Sequence, residues 1–289
     1  MADGQAEETA TLLVSCKDRR GIVASLAQLL YGHGANILDA DQHTDQEAGQ
    51  FLQRIRFDLR ELHTDRVALE RGITEVAQRF GMQYRLSYEN RLRRVAIFVS
   101  KYDHCLYDLL LRHRAGELRC EIALIVSNHP DLEPIGRQFG VEYRVFPVTP
   151  ETKAAQERAE LELLSASAID LVVLARYMQV LTADFVRELP ERIINIHHSF
   201  LPAFVGKKPY HQAHERGVKL IGATAHYVTS ELDEGPIIHQ DVTPTSHRDS
   251  VEDLVRKGRD LERIVLSTAV RAHLENRILV YGRKTVVFN

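Results

Sequence analysis

The middle of this 289-residue chain alternates between short apolar runs and stretches of helical period. Strand-like runs cover residues 95–99, 121–127, 143–148, 171–175 and 193–196, and helices are predicted over 102–114, 131–139, 151–165 and 183–189. Strands joined in this way run parallel, because each helix carries the chain back to the end where the previous strand began. The pattern predicts an α/β fold with a doubly wound, mostly parallel sheet, whose ligand site lies beyond the carboxyl ends of the strands.

The first 88 residues follow a different order. Strand-like segments appear at 11–16, 35–38, 55–59 and 82–88, and apolar residues recur with helical spacing over 22–30 and 69–80. The resulting order βαββαβ predicts a ferredoxin-like split βαβ unit. In its third strand, Ile55 and Phe57 alternate with Arg54 and Arg56, which predicts a sheet with one face in water.

A charged stretch at residues 89–94 separates the two patterns. We therefore predict one domain over residues 8–88, a linker over 89–94 and a second domain over 95–289. Near its end, the second pattern predicts a long helix that finishes near Glu275, followed by a hairpin around Gly282 and Arg283.

Composition and charge exclude several classes of function. The 37 Lys and Arg against 40 Asp and Glu give a formal net charge of −3, whereas a dedicated nucleic-acid binder is normally basic. The longest uncharged apolar run, at 171–175, is far shorter than the roughly 20 residues of a membrane span. Three widely spaced cysteines form no disulfide framework, and the N-terminus resembles no signal peptide. We therefore expect a cytoplasmic protein that binds neither nucleic acid nor membrane.

Motifs for nucleotide phosphates and metals are weak. Residues 100–105, after the first strand of the second domain, contain no glycine, whereas a backbone cradle for phosphate needs glycines at a helix N-terminus. His211 and His214 are spaced to share a helix face, but no third ligand is apparent and an exposed helix explains them equally well. His104 and Cys105 are adjacent and do not face each other on a helix, so an ordinary buried cysteine is expected. We predict no metal and no cofactor.

Residues of catalytic type concentrate between 193 and 240. Asn195 and His197 lie at the end of a predicted strand, and His226 and Asp233 follow on later segments. An amide that donates to a developing oxyanion, an imidazole that moves protons and a carboxylate that orients or deprotonates could support attack on a carbonyl. Each residue also has a simpler interpretation: Asn195 in a turn, Asp233 at a strand entry and His226 as a hydrogen-bonded core histidine.

Three separated motifs resemble the formyltransferase fold of the 10-formyltetrahydrofolate enzymes. They are Asn195-Ile-His197-x-Ser199-x-Leu201-Pro202, Gly222-x-Thr224-x-His226 and Leu232-Asp233-x-Gly235-x-Ile237-Ile238. The resemblance implies that Asn195, His197 and Asp233 are catalytic, and it assigns His198 no role. It also implies substrate contacts from Met178, Leu181, Ile193, His226, Val228, Thr229 and Leu232. Core packing would equally explain Met178 and Leu181.

The N-terminal pattern resembles the ACT domain, which senses amino acids. The similarity rests on Asp18-x-x-Gly21-Ile-Val-Ala and on Gly34-x-Asn36-Ile37. It implies an amino-acid effector near Asp18, Gly21, Asn36 and Ile37, although turn and cap geometry alone would explain the glycines. The edges of such a sheet commonly pair with another subunit, so we expect a homo-oligomer.

An ACT module ahead of this catalytic domain is the arrangement of the formyltetrahydrofolate deformylases, and the whole chain resembles that family. The resemblance implies hydrolysis of 10-formyltetrahydrofolate to formate and tetrahydrofolate, because Asp103 and the absence of glycine in the first loop disfavour a phosphorylated acceptor. Two alternatives remain: transfer of the formyl group to an amine, and a non-catalytic protein that senses folate. Retention of all three catalytic residue types argues against a sensor.

Overall fold

The computed structural model describes residues 8–202 and 209–289, which divide into two compact units. One unit comprises the chain up to Leu92 together with Glu275–Asn289, and the other comprises Arg93–Leu274. The first boundary falls inside the predicted linker. The C-terminal segment was predicted in the second domain, whereas its contacts place it in the first unit. Within the described residues, no helix is long and apolar enough to cross a membrane.

The first unit has the predicted order βαββαβ. Its elements are β1 (Thr9–Lys17), α1 (Ile22–Gly32), β2 (Asn36–Asp45), β3 (Gln50–Asp58), α2 (Arg66–Phe80) and β4 (Gln83–Tyr88). The strands pair antiparallel in the order β2-β3-β1-β4. Leu26 and Leu30 of α1 and Leu69 and Ile73 of α2 are at most 1% exposed and form one core with the sheet. Gly81 ends α2 with a φ of 64°, in the left-handed region that favours glycine.

The second unit is the predicted doubly wound domain. Its elements are β5 (Arg93–Val99), α3 (His104–Arg114), β6 (Cys120–Ser127), α4 (Glu133–Phe139), β7 (Glu142–Val145), α5 (Lys153–Ala166), β8 (Leu171–Leu174), α6 (Ala183–Glu188), β9 (Ile193–His197), α7 (Pro209–Arg216), β10 (Leu220–Tyr227), β11 (Ile237–Pro244) and α8 (Val251–Leu274). The sheet order is β11-β10-β9-β8-β5-β6-β7. The five strands from β9 to β7 are parallel, and β10 and β11 extend the sheet as an antiparallel pair. The mostly parallel sheet is therefore confirmed.

The chain reverses direction across this sheet at β5. It first builds β6 and β7 on one side of β5 and then returns to build β8 and β9 on the other side. The carboxyl ends of β5 and β8 therefore lead to helices that diverge, and such a switch point opens a crevice that commonly holds ligand. Apolar side chains bury the strands on both faces, as in the neighbouring residues Ile97 and Phe98 of β5, which are at most 1% exposed and point to opposite faces.

A C-terminal hairpin belongs to the first unit. It consists of β12 (Ile278–Tyr281) and β13 (Lys284–Val287), as predicted. Phe288 follows the hairpin and is 2% exposed, because it packs with Leu13 and Leu52 on the sheet face away from α1 and α2. The hairpin therefore covers a sheet face that the sequence predicted to be in water.

One of the charges predicted to face solvent is enclosed by the C-terminal segment. Arg54 is 6% exposed, and its Nε donates to the carbonyl oxygen of Asn276 at 3.1 Å. Its guanidinium also lies 2.5 Å from the carboxylate of Asp39. Glu89, placed in the linker, accepts a hydrogen bond from the Thr9 hydroxyl at 2.6 Å. The prediction of a fully wet arginine face is wrong at Arg54, because strand alternation cannot show that a distant hairpin folds over it.

Candidate active site

Two neighbouring strands bring the predicted polar residues together. Asn195 and His197 occupy alternate positions on β9, so their side chains point to the same face of the sheet. β10 runs antiparallel beside β9 and pairs His226 with Asn195 and Thr224 with His197. Because cross-strand partners lie side by side, the first two sequence motifs meet at this edge.

Asp233 joins them on the segment between β10 and β11. Its carboxylate lies 3.2 Å from His197 Nδ1 and 3.6 Å from His226 Nε2. Asn195 Nδ2 lies 3.2 Å from the same His226 nitrogen. His197 and His226 are 6% and 2% exposed. We refer to Asn195, His197, His226 and Asp233 as the polar cluster.

The backbone around Asp233 is held in an unusual conformation. Asp233 has a φ of 56°, which side chains rarely adopt and which costs energy that surrounding contacts must offset. A Cβ atom on Gly235 would lie 1.7 Å from the carbonyl oxygen of Tyr227 and 3.2 Å from His226 Nδ1. Only glycine permits this close approach, which holds the carboxylate of Asp233 against the imidazoles.

Hydrogen bonds of Thr224 fix the position of the segment that follows β9. Its side chain is fully buried, and its hydroxyl donates to the carbonyl oxygen of Ser199 at 2.9 Å. The hydroxyl oxygen of Thr224 itself accepts hydrogen bonds from the backbone N–H of Leu201 at 3.1 Å and from Gln240 Nε2 at 2.9 Å. One hydroxyl therefore ties β10, β11 and the loop after His197 to each other.

Hydrogen bonds define the tautomer of His226. Its Nδ1 lies 2.9 Å from the carbonyl oxygen of Tyr227, which can only accept, so Nδ1 carries the proton. In the neutral ring Nε2 then accepts a hydrogen bond from the Asn195 amide. This contact uses one of the two amide N–H groups of Asn195 and orients the other.

Asp233 is ionised in this arrangement. Partial burial would raise its pKa, but the hydrogen bond from His197 outweighs burial and holds the pKa well below its usual range. Asp233 is therefore better suited to orient an imidazole than to take a proton. His198, which follows His197 in the chain, is neutral near pH 7, because burial and then the positive charge of Arg176 lower its pKa to about 4.

His197 has one nitrogen left for chemistry. Since Nδ1 donates to the carboxylate of Asp233, Nε2 carries the lone pair in the neutral ring. Nε2 is buried and has no hydrogen-bond partner among the described residues. The arrangement thus combines a base with an orienting carboxylate and an amide donor, which suits attack on a carbonyl.

The apolar side chains predicted to contact folate differ in their exposure to solvent. Met178 and Leu232 are 54% and 61% exposed, so their side chains are accessible to a ligand. Leu181 and Val228 are half-buried at the margin of the unit's core. Ile193 is 1% exposed inside that core, and its contact with a substrate stays a prediction.

The other two predicted contacts are polar. His226 is enclosed within the polar cluster, so it acts on Asn195 and Asp233 rather than on an open surface. Thr229 is half-buried and donates its hydroxyl proton to the carbonyl oxygen of Glu231 at 3.2 Å. Its backbone remains in the segment predicted to contact the substrate.

The histidines and cysteine considered for metal binding are distributed as follows. His211 and His214 are exposed on α7. Cys105 is fully buried, and burial raises the pKa of its thiol well above the usual value, as for an ordinary buried cysteine. In the described part of the chain, atoms of His104, Cys105 and Glu262 lie within 4.8 Å of one another.

The predicted effector residues of the first unit are on its surface. Gly21 precedes α1 with a φ of 93°, and Asp18 lies in the turn before it. Asn36 and Ile37 begin the edge strand β2. All four residues are exposed. An effector site formed by them stays a prediction.

Comparisons with known proteins match both units. Residues 93–270 match the formyl transferase family and residues 10–71 match the ACT domain. A formyltetrahydrofolate deformylase from Synechocystis sp. is 59% identical over 280 residues, 97% of this chain and 98% of that protein. This chain belongs to the formyltetrahydrofolate deformylase family. The crystal structure of a deformylase from Pseudomonas syringae superposes with a TM-score of 0.95 at 46% identity, covering 99% of this chain and 96% of that one.

The deformylase fold also resembles that of a transformylase. A glycinamide ribonucleotide transformylase from Symbiobacterium toebii superposes with a TM-score of 0.65 at 34% identity, covering 71% of this chain and 98% of that one. The acceptor preference of a deformylase must therefore depend on side chains rather than on the fold.

Sequence reasoning missed several residues in and near the polar cluster. Thr224 and Gly235 were part of motifs, but their hydrogen bonds and close contacts depend on strand pairing. Glu262 was missed although a signal was available. It lies on the apolar face of α8, four residues from Gly258 and four from Leu266, where a carboxylate is unexpected.

Proposed function

We propose that this protein hydrolyses 10-formyltetrahydrofolate to formate and tetrahydrofolate at the polar cluster. The observation that carries the proposal is that two distant motifs bring Asn195, His197 and Asp233 together. Asp233 lies 3.2 Å from His197, and both Asn195 and Asp233 lie within 3.6 Å of His226. Relatives named formyltetrahydrofolate deformylase, such as that of Synechocystis sp., support it.

The proposed reaction begins with water at the formyl carbon. His197 Nε2 accepts a proton from the water while the water oxygen forms its bond to carbon. The free N–H of Asn195 donates to the formyl oxygen as it gains negative charge. His197 then returns the proton to N10 of the folate, the C–N bond breaks, and formic acid loses its proton to solvent. No cofactor enters this sequence.

Asp233 acts on His197 rather than on water in this scheme. Its lowered pKa makes it a weak base, whereas its charge stabilises the imidazolium that His197 becomes. This assignment departs from the sequence prediction that left deprotonation of water open to Asp233. Asp233→Asn keeps an oxygen for His197 Nδ1 but removes the charge, so turnover should fall by about 10²-fold or more.

Exposed apolar side chains support a folate substrate. Met178, Val180, Phe200 and Leu232 are between 43% and 61% exposed, and they lie on loops that follow β8 and β9 or precede Asp233. We infer that Met178 and Leu232, with Leu181 and Val228 behind them, cover the pteridine ring. Backbone N–H and C=O groups around Thr229 form hydrogen bonds with the polar edge of the pteridine ring.

Formate release from 10-formyltetrahydrofolate by purified protein tests the proposal. Asn195→Ala should lower turnover about 10²–10³-fold with little change in folate binding, because it removes an oxyanion donor. Asn90→Ala, at an exposed asparagine of the first unit, is the matched control and should retain full turnover. The absence of formate with the unaltered protein, or full activity of Asn195→Ala, would contradict the proposal. If glycinamide ribonucleotide were formylated faster than formate appeared, the amine-acceptor alternative would be correct.

We further propose that the ACT unit binds a small amino acid near Asp18, Gly21, Asn36 and Ile37. Backbone N–H groups at the start of α1 suit a carboxylate. Calorimetry of the full chain against each of the twenty amino acids should find at least one that binds. A complete absence of binding would contradict the effector.

We also propose a homo-oligomer paired through the ACT unit. β2 is an edge strand of ten residues, none of them buried, and such edges commonly pair with a second chain. Light scattering should give a mass of at least twice the 32.9 kDa of one chain, and a monomer would contradict the proposal.

A further inference from the structure

A buried ionic cluster occupies the switch point of the sheet. Arg176 follows β8, and His104 begins α3 after β5, so both lie where doubly wound sheets usually hold a ligand. Both meet Glu262 of α8: His104 Nε2 lies 2.7 Å and Arg176 Nε 3.5 Å from Glu262 Oε2. Tyr210 of α7 donates its hydroxyl proton to Glu262 Oε1 at 2.7 Å. We call these four residues the Glu262 cluster.

These groups are deeply buried. Glu262 is 1% exposed, Tyr210 8% and Arg176 9%. Burial alone would raise the pKa of Glu262, but the hydrogen bond from His104 and the charge of Arg176 outweigh it, so the carboxylate is ionised. Apolar residues of similar volume often stabilise a fold as well as a buried ion pair does. Folding therefore gives no sufficient reason for charges here, and the proposed reaction does not use them.

The helix that carries Glu262 is shaped to admit Tyr210. A Cβ atom on Gly258, one helical turn before Glu262, would lie 2.0 Å from the Tyr210 hydroxyl oxygen and 2.2 Å from Cζ. Any side chain at position 258 would push the tyrosine ring away. The space between α7 and α8 is therefore filled by an aromatic ring that reaches the carboxylate.

The Glu262 cluster extends to the residues proposed for catalysis. The ring centroid of Tyr210 lies 6.3 Å from that of His198, which lies 5.2 Å from that of His197. His104 also lines a cavity of about 540 Å³, whose charged lining residues are Glu252, Arg256, Arg259, Asp260 and Arg263, whereas Glu262 and Tyr210 do not line it. The Glu262 cluster therefore connects the surroundings of His197 with the wall of this cavity.

We propose that the Glu262 cluster is an acceptor barrier. It fills the space at the switch point, beside His197 and His198, where an amine acceptor would otherwise bind, so that water reaches the formyl carbon and a larger amine does not. The inference rests on the deformylase activity proposed above and names the side chains that set its acceptor. When the barrier is opened, an amine nitrogen replaces water. The nitrogen bonds to the formyl carbon and loses one proton, the bond to N10 breaks, and N10 leaves with a proton.

Competition between water and glycinamide tests the barrier. The full chain is supplied with 10-formyltetrahydrofolate and glycinamide, and formate and N-formylglycinamide are quantified together. His104→Ala removes the imidazole that lies against the carboxylate of Glu262, and N-formylglycinamide should then appear beside formate, at about tenfold or more above the detection limit of the assay. His113→Ala is the matched control, since His113 is also a hydrogen-bonded histidine of α3 and contacts the Cys120 carbonyl oxygen instead. It should release formate only.

Further variants keep the test decisive. Tyr210→Ala opens the same barrier from α7 and serves if His104→Ala does not fold, as judged by thermal unfolding. Glu262→Gln keeps the volume and should leave the barrier closed. Folded His104→Ala and Tyr210→Ala proteins that release formate without N-formylglycinamide would overturn the barrier, as would transfer to glycinamide by the unaltered protein. Failure of the unaltered protein to release formate would instead refute the proposed function.

Discussion

The hydroxyl of Thr224 should control the position of the loop after His197. Thr224→Val keeps the shape of the side chain but removes one donor and one acceptor, so the Ser199 carbonyl, the Leu201 N–H and Gln240 lose a partner inside the protein. Three neutral hydrogen bonds at about 1 kcal/mol each amount to about 3 kcal/mol of unfolding free energy. In a unit of this size, that loss lowers the unfolding temperature by about 6–12 °C.

Thr224→Ser is the matched variant, because it keeps the hydroxyl and loses one buried methyl group, which costs about 1 kcal/mol. The two variants are compared by thermal unfolding and by formate release below the unfolding temperature. Turnover of Thr224→Val should fall about 10²-fold, since a displacement of about 1 Å has that effect on catalysis, while Thr224→Ser keeps most of its turnover. Equal unfolding temperatures and equal turnover of the two variants would refute the role of the hydroxyl.

Other predictions concern a glycine, a buried acid and the hairpin. Gly235→Ala should lower turnover about 10²-fold by displacing Asp233, whereas Gly32→Ala, where a Cβ meets nothing within 4 Å, should leave formate release unchanged. Burial raises the pKa of Glu160 from 4.5 to about 7, so the folded state holds the proton more tightly and stability falls as pH rises through this range. Glu160→Gln should remove that pH dependence in urea unfolding and stabilise the protein at pH 8. Phe288→Ala should lower the unfolding free energy of the first unit by about 3–5 kcal/mol in urea titrations, and a loss below 1 kcal/mol would contradict its core position.

Elements built by local periodicity could be predicted closely. The apolar run at 171–175 became β8 (Leu171–Leu174), and the run at 193–196 became β9 (Ile193–His197), because buried strands need continuous apolar sequence. The order of these elements was enough to predict parallel strands, since the connections leave few alternatives. The motifs containing Asn195, His197 and Asp233 likewise indicated which residues to examine.

Contacts between distant segments could not be predicted in this way. The role of His226 depends on the antiparallel register that places it beside Asn195, and a shift of one residue would turn its side chain to the other face. The enclosure of Arg54 depends on a hairpin more than 200 residues later in the chain. Such contacts follow from sheet order and long-range packing, which leave no periodic signal near either partner.

The sequence by itself therefore determined the order of helices and strands, the presence of two domains and the candidates for catalytic residues, because each of these depends on neighbouring residues or on a motif. Only the tertiary structure decided that Asp233 lies 3.2 Å from His197, that Thr224 ties three segments together and that Glu262 lies buried with Arg176 and His104 at the switch point. The physical reason is that hydrogen bonds and charge pairs act over a few ångströms in space, whatever the separation of their partners along the chain.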